Sequence, residues 1–162
     1  SVRFKWREHV TKTVSENGEA LEKFCNALKD GDSKVVEQSL NNYLKKTISI
    51  RDTFVKKQMK ENFYHGILLG ILGFQQNWSV SSNKESGDGY SDILIKTEDQ
   101  EIGIIIEIKY AETGNLEAVS EEALKQIEDR RYEEQLLEEG VEHILKYGIA
   151  FYKKKCKVMV VK

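Results

Sequence analysis

Apolar residues recur at helical intervals in three stretches of the first part of the chain. Residues 16–29 place leucine, phenylalanine and cysteine on one helical face. The segment DGDS at 30–33 ends that helix and caps the next, which we predict over 34–46. A third stretch, about 53–72, predicts a longer helix with Gly73 as its C-cap. Together these patterns predict a helical hairpin that leads into a central helix.

After the third predicted helix, the pattern changes to the shorter period of strands. NWSVS at 77–81, DILIK at 92–96 and EIGIIIEIKY at 101–110 predict three strands. The polar segments SNKESGDGYS at 82–91 and TEDQ at 97–100 predict the turns between them. Because these connections are short, we expect the three strands to form an antiparallel meander.

The C-terminal part predicts a helix followed by two more strands. Helical spacing covers about 116–130, and YEEQLLEEG at 132–140 predicts a turn or second helix that ends at its glycine. HILKYGIAFYK at 143–153 and KCKVMVV at 155–161 predict the two strands. The order of helices, three strands, helix and two strands is typical of an α/β layer fold on a mixed sheet.

The third predicted strand carries two opposite charges inside an apolar run. Residues two apart share one face of a strand, so Glu107 and Lys109 lie on the same face while isoleucines fill the other. One interpretation is an ion pair in which the two side chains satisfy each other. The other is a functional site, because Asp92 in the second strand would lie beside Glu107 if the two strands pair through their short turn.

The functional interpretation is a metal site. Two carboxylates side by side in apolar surroundings repel each other and resist joint ionisation. A divalent cation removes this repulsion, and Mg²⁺ takes one or two carboxylates together with water and phosphate oxygens. Lys109 would then position or deprotonate the attacking water, or stabilise the charge that develops on a phosphate.

Composition limits the classes of protein that fit. The chain has 162 residues, 40% hydrophobic and 32% charged, which suits one domain or a domain with an appendage. No apolar run approaches the ~20 residues of a membrane span, and the first residues lack a signal-peptide core. The chain starts without Met, so we expect a piece of a longer protein. Two cysteines form no framework, which favours a reducing cytoplasm.

The net charge of −2 does not indicate a nucleic-acid binder, but the charge is unevenly spread. Residues 1–60 hold 13 Lys/Arg against 8 Asp/Glu, a net of +5, and residues 61–162 hold 12 against 19, a net of −7. The front part would offer a basic surface or simply solvated helix faces. The run KKKCK at 153–157 would contact a phosphate backbone or form a solvated turn.

The charged positions carry a resemblance to a known family. The pattern D-(x14)-E-I-K, set on a hairpin after a helix bearing a glutamate, resembles the PD-(D/E)XK nuclease superfamily. The segments ENFYHGILLGIL, SNKESGDGYSDI, EALKQIEDRRY and YGIAFYKKK resemble its bacterial family found behind an AAA-ATPase-like domain. The resemblance covers about residues 20–160. It implies a restriction-endonuclease-like fold and hydrolysis of phosphodiester bonds with Mg²⁺, or Mn²⁺ as a substitute.

The resemblance also implies roles for individual residues. Asp92 and Glu107 match the metal-binding carboxylates, and Lys109 matches the catalytic lysine. Glu61 matches an acidic residue of the first core helix that often reaches the metal, and Gln126 matches a glutamine that often touches the site. Glu85 and Tyr132 lie in segments that match the family and would support these groups from outside the direct ligands. His65 lies one helical turn from Glu61 on the same face, and it would either support the metal ligands or simply pack and hydrogen-bond.

Two positions depart from the family pattern. Ser91 stands where the superfamily has proline, and Tyr90 stands where relatives often carry arginine. The second difference would remove one cation that faces the phosphate.

We therefore expect a helical lead-in at 1–57 packed on a nuclease-like core at 58–162, from a bacterial cytoplasmic protein. The expected partner is a nucleic acid, with DNA favoured, and no membrane. An AAA-ATPase-like domain on the N-terminal side of the full-length protein and a homodimer are further expectations. The alternative function is a module on the same fold that binds nucleic acid or protein without cleavage.

Overall fold

The computed structural model describes residues 18–47, 57–85, 89–99, 101–128 and 132–162, without the side chains of 57–58, 83–85 and 89–91. Groups of helices and strands follow one another in the order that the hydrophobic pattern predicts. Their bounds are α1 (18–30), α2 (Ser33–Thr47), α3 (Lys57–Leu72), β1 (Ser79–Glu85), β2 (Gly89–Lys96), β3 (Ile102–Tyr110), α4 (Leu116–Glu128), α5 (Tyr132–Glu138), β4 (His143–Tyr152) and β5 (Lys155–Val161).

The strands form one mixed sheet in the order β1-β2-β3-β4-β5. β3 and β4 pair in parallel, and the other neighbours pair antiparallel. A parallel pair needs a crossover, and α4 and α5 provide it between β3 and β4. The predicted α/β fold on a mixed sheet and the predicted antiparallel meander are both confirmed.

The sheet is covered on both faces. One face packs on α1, α2 and α3, so the helices of the predicted lead-in share a core with the sheet. The other face packs on α4 and α5 in a smaller cluster, whose buried members are Leu94, Ile105, Ile127, Leu136 and Val141. Covering on both faces explains why β3 reads as an almost continuous apolar run instead of a clean alternation.

Helix α2 closes the outer edge of β5 through its side chains. Asn41 Oδ1 accepts the backbone N–H of Cys156 at 2.8 Å, and Glu37 Oε1 accepts that of Val158 at 2.9 Å. Four residues of helix advance about 6 Å, and two residues of strand advance about 6.6 Å. The spacing of Glu37 and Asn41 along α2 therefore matches the spacing of the outward-facing amides of Cys156 and Val158 along β5.

Two local expectations are wrong. β1 continues to Glu85 and β2 starts at Gly89, so the predicted turn over 82–91 is shorter than expected and a register shift between Asn83 and Lys84 accommodates the extension. Gly73 does not take the left-handed conformation of a C-cap, since its N–H continues the helical pattern to Leu69 O at 2.9 Å.

No helix in the described ranges is long and apolar enough to cross a membrane.

Candidate active site

The site is built on the hairpin of β2 and β3. Asp92 lies directly opposite Glu107 in the antiparallel register. Side chains opposite each other on a sheet have Cβ atoms about 4.5–5.5 Å apart and share a face. Asp92 has 0% of its surface exposed and Glu107 has 1%. The short turn and the strand period thus bring two acidic side chains together inside the protein, as the sequence predicts.

Lys109 lies two residues beyond Glu107 on the same face of β3 and is half-buried. The opposite face of the strand carries isoleucines that are completely covered by the main core. Among the described ion pairs, none joins Lys109 to Glu107. The simple ion pair considered from the sequence is therefore not formed between these two side chains.

Gly148 on β4 brings a helix against the sheet beside Glu107. It is the register partner of Glu107 in the parallel pair. A Cβ atom at this position would lie 2.4 Å from the backbone oxygen of Ser120 and 3.0 Å from the backbone nitrogen of Leu124. Ser120 Oγ donates to Gly148 O at 2.9 Å, and this contact is buried. The missing side chain thus allows α4 to dock closely and to keep water from this part of the sheet.

Helix α3 contacts both strands of the hairpin from the other side. Glu61 Oε1 accepts the backbone N–H of Tyr110 at 3.2 Å, at the end of β3. One turn later, His65 is 2% exposed and hydrogen-bonds the backbone of Asp92. Burial lowers the pKa of His65 below its ordinary value, and the hydrogen bond to Asp92 opposes this shift. These two side chains fix the strands that carry Asp92 and Lys109.

An aromatic cluster holds the end of β3 next to Lys109. The Tyr64 ring stacks on Phe151 with centroids 4.5 Å apart and on Tyr110 at 5.9 Å. Lys60 Nζ lies 4.6 Å from the centroid of the Tyr110 ring. Tyr64 Oη donates to Lys153 O at 2.6 Å, so the cluster also anchors the turn between β4 and β5.

The remaining predicted residues lie farther from the central pair or outside the described part. Gln126 is half-buried on α4, the helix that packs on β3 and β4. Tyr132 packs against the smaller cluster that contains Leu94 and Ile105. Glu85 ends β1 opposite Gly89, and its side chain lies outside the described part. Ser91 and Tyr90 likewise have side chains outside it.

Sequence reasoning missed two residues that shape the site, Gly148 and Ser120. A glycine inside a strand often marks a close approach of another backbone, and Gly148 interrupts the apolar run YGIAF. That signal was available for Gly148. No such signal was available for Ser120 on α4, because the local sequence does not show which turn of a helix faces a given strand.

A family model confirms what the geometry indicates. The model that describes the PD-(D/E)XK nuclease superfamily matches residues 59–161, from α3 to the end of β5. A comparison with curated proteins gives no match. The matched range holds the hairpin, α3, α4 and Gly148, and the mixed sheet between helices is that of a restriction-endonuclease-like fold. The chain therefore belongs to the PD-(D/E)XK nuclease superfamily.

Proposed function

We propose that the protein is a divalent-metal-dependent nuclease that hydrolyses phosphodiester bonds, with DNA as the favoured substrate. The observation that carries the proposal is the buried pair of Asp92 and Glu107, opposite in register, with Lys109 on the same face. Membership of a nuclease superfamily supports the reaction class.

The donor set fits a hard divalent cation such as Mg²⁺, with Mn²⁺ as a substitute. Glu107 Oε2 is buried and has no hydrogen-bond partner among the described residues. A buried carboxylate oxygen in that situation costs free energy unless a cation compensates its charge or a proton neutralises it. The described residues hold no group of three or more His, Cys, Asp and Glu side chains arranged for a metal. Two carboxylates are nonetheless sufficient for Mg²⁺, which completes its octahedron with water and phosphate oxygens.

Asp92 and Glu107 would hold the cation. When bound, such a cation neutralises phosphate charge and makes a water molecule easier to deprotonate. Lys109 would donate to a phosphate oxygen or to the attacking water, since an ammonium group has three donors and no acceptor. Its half-buried position strengthens this interaction relative to one in bulk water.

Other side chains would support this arrangement. Glu61 and His65 would keep β3 and β2 in place through the backbone contacts described above. The predicted metal contact of Glu61 remains a prediction, and its Oε1 is already engaged by Tyr110. Gln126 would contact the substrate from α4. Tyr132 and Glu85 would support the site from outside the direct ligands.

Several expectations from the sequence remain predictions. They are an ATPase-like domain on the N-terminal side of the full-length protein, a homodimer, a bacterial source and a cytoplasmic location. The alternative function is binding of nucleic acid or a partner protein without cleavage, and its support is the uneven charge, with a basic front part and an acidic core.

The test is cleavage of labelled plasmid, linear duplex, single-stranded DNA and RNA with Mg²⁺, Mn²⁺ or EDTA. Asp92→Ala and Lys109→Ala should each slow cleavage about 10²–10³-fold or more, which is typical when one group that stabilises transition-state charge is removed. Lys125→Ala is the matched control, because Lys125 is exposed on α4 and should leave the rate unchanged.

A binding measurement separates metal loading from catalysis. Calorimetric titration with Mn²⁺ should show a site in the wild type that Asp92→Ala loses and Lys109→Ala keeps. If the folded wild type cuts no substrate with either metal, or if Asp92→Ala cuts as fast as the wild type, the nuclease proposal fails and the binding module takes its place.

A further inference from the structure

Seven lysines collect at one end of the sheet, the end where β3 and β4 finish and β5 begins. Lys109 is the penultimate residue of β3, and Lys153, Lys154 and Lys155 form the turn from β4 into β5. β3 and β4 run in parallel, with Tyr110 paired to Phe151, so their final residues reach the same end. Lys153 Nζ lies 5.2 Å from the centroid of the Tyr152 ring, on the exposed side of this turn.

Two helices add three lysines to the same end. α3 begins there, because Glu61 contacts Tyr110 and Lys60 covers the Tyr110 ring. α2 finishes there: Asn41 holds Cys156, so the next turn of the helix continues past the start of β5 and carries Lys45 and Lys46. We call the six lysines around Lys109 the lysine end; they are Lys45, Lys46, Lys60, Lys153, Lys154 and Lys155.

Within the described part of the chain, none of the six forms an ion pair with a carboxylate. Lys157, two residues farther along β5, pairs with Glu37 at 3.6 Å and is therefore not counted. The described acidic side chains of this end include Glu61, which accepts the Tyr110 amide, Glu112 in the loop after β3 and Glu117 in the first turn of α4.

The opposite end of the sheet carries many acidic residues, and three of the lysines there pair with carboxylates. The turn between β2 and β3 carries Glu98, Asp99 and Glu101, and the segment before β4 adds three further glutamates, Glu138, Glu139 and Glu142. Lys29 pairs with Glu98 at 3.5 Å, Lys96 pairs with Glu139 and Lys146 pairs with Glu133 at 2.7 Å. A polyanion is therefore attracted to one end of the molecule and repelled from the other, although the net charge is only −2.

We propose that the lysine end binds the phosphate backbone of a nucleic acid without regard to sequence and leads it to Asp92, Glu107 and Lys109. The inference rests on the proposed function and adds where and how the substrate is held. Lysine acts on phosphate as a point charge and lacks the planar fork with which arginine reads base edges. The six side chains that define the lysine end are all lysines.

The experiment compares two triple variants with equal change of charge. Lys153→Gln, Lys154→Gln and Lys155→Gln remove the turn lysines, and Lys29→Gln, Lys96→Gln and Lys146→Gln remove three paired lysines of the other end. Binding of a fluorescein-labelled duplex DNA is followed by anisotropy in EDTA, so that neither metal nor cleavage contributes. The double variant Lys45→Gln with Lys46→Gln is a second probe, and circular-dichroism melting checks that every variant is folded.

The turn variant should bind at least about tenfold more weakly at 50 mM salt. When the logarithm of its binding constant is plotted against the logarithm of the salt concentration, the slope should be shallower by about 0.9 for each phosphate that the variant no longer neutralises. The double variant should change in the same direction, and the opposite-end variant should bind as well as the wild type. Equal affinities for the turn variant and the wild type, equal weakening in both triple variants, or no binding by the wild type would each overturn the proposal.

The two proposals fail separately. A wild type that cuts DNA, with a turn variant that binds and cuts equally well, refutes the lysine end and keeps the nuclease. A wild type that binds DNA through the lysine end and cuts nothing with Mg²⁺ or Mn²⁺ refutes the nuclease and keeps the binding surface.

Discussion

Replacing Gly148 by alanine tests the close docking of α4 beside the site. The added Cβ would lie 2.4 Å from Ser120 O, whereas ordinary contacts begin at 3.4 Å, so the helix and β4 must separate by about 1 Å. Both nearest polar atoms belong to the α4 backbone, at Ser120 and Leu124, and a side-chain rotation cannot relieve the clash. The separation also stretches the 2.9 Å hydrogen bond from Ser120 Oγ to Gly148 O.

The magnitude follows from these two effects. Overpacking of a well-packed core costs about 1–3 kcal/mol, and a buried hydrogen bond contributes about 1 kcal/mol. We expect Gly148→Ala to lower the free energy of unfolding by about 2–4 kcal/mol. For a chain of this size, that corresponds to a Tm lower by roughly 5–15 °C. Urea titration followed by circular dichroism measures the first quantity, and a thermal melt measures the second.

Gly66→Ala is the matched control. Gly66 is exposed on α3, and a Cβ added there meets nothing within 4 Å. Alanine in an exposed helix interior is favoured over glycine by about 0.5–1 kcal/mol, so this variant should be more stable than the wild type. If Gly148→Ala unfolds within about 0.5 kcal/mol of the wild type, the docking of α4 on Gly148 does not have the energetic role assigned to it.

Three further predictions concern buried ionisable groups. Glu107→Gln should raise the Tm of the metal-free protein in EDTA, because it removes one of two buried neighbouring carboxylates, with about 2–4 °C for each kcal/mol of stability gained. The control Glu101→Gln, at an exposed position, should leave the Tm unchanged. A lower Tm for Glu107→Gln would contradict the reasoning. Burial raises the pKa of the Cys25 thiol to about 11 and that of the Cys156 thiol to about 12. Neither thiol should therefore react with a thiol reagent at pH 8 until urea unfolds the chain. Rapid labelling of the native protein would contradict this prediction. Because the folded pKa values are raised above the ordinary 9.0, stability from these thiols is present below pH 9 and should decrease as the pH rises from 9 towards 12.

The site hairpin was predictable because everything that defines it is local. The two-residue period of β3 and the short turn from β2 suffice to place Asp92 opposite Glu107 and Lys109 on the same face. The extension of β1 to Glu85 was not predictable in this way, since the segment SSNKE is polar throughout and shows no alternation of apolar and polar residues. The extended part of β1 is held by backbone pairing with β2, and its side chains do not indicate which residues form the strand.

Non-local contacts account for the rest. The parallel pairing of Glu107 with Gly148 joins segments separated by two helices, and no periodicity in either segment states their register. The contact of Glu61 with Tyr110 also depends on how α3 crosses the sheet. Sequence periodicity predicted α3 and the family resemblance singled out Glu61, while only the packed structure shows that Glu61 accepts a backbone amide.

The two hydrogen bonds from α2 to β5 also determine where the sheet stops. An edge strand with free amides is a template on which a strand of another molecule can pair. Asn41 and Glu37 occupy two such amides of β5. At the other edge, the register shift between Asn83 and Lys84 interrupts the regular spacing of β1. The described sheet thus ends in a helix-capped strand on one side and an irregular strand on the other, and both features oppose its extension into a neighbouring chain.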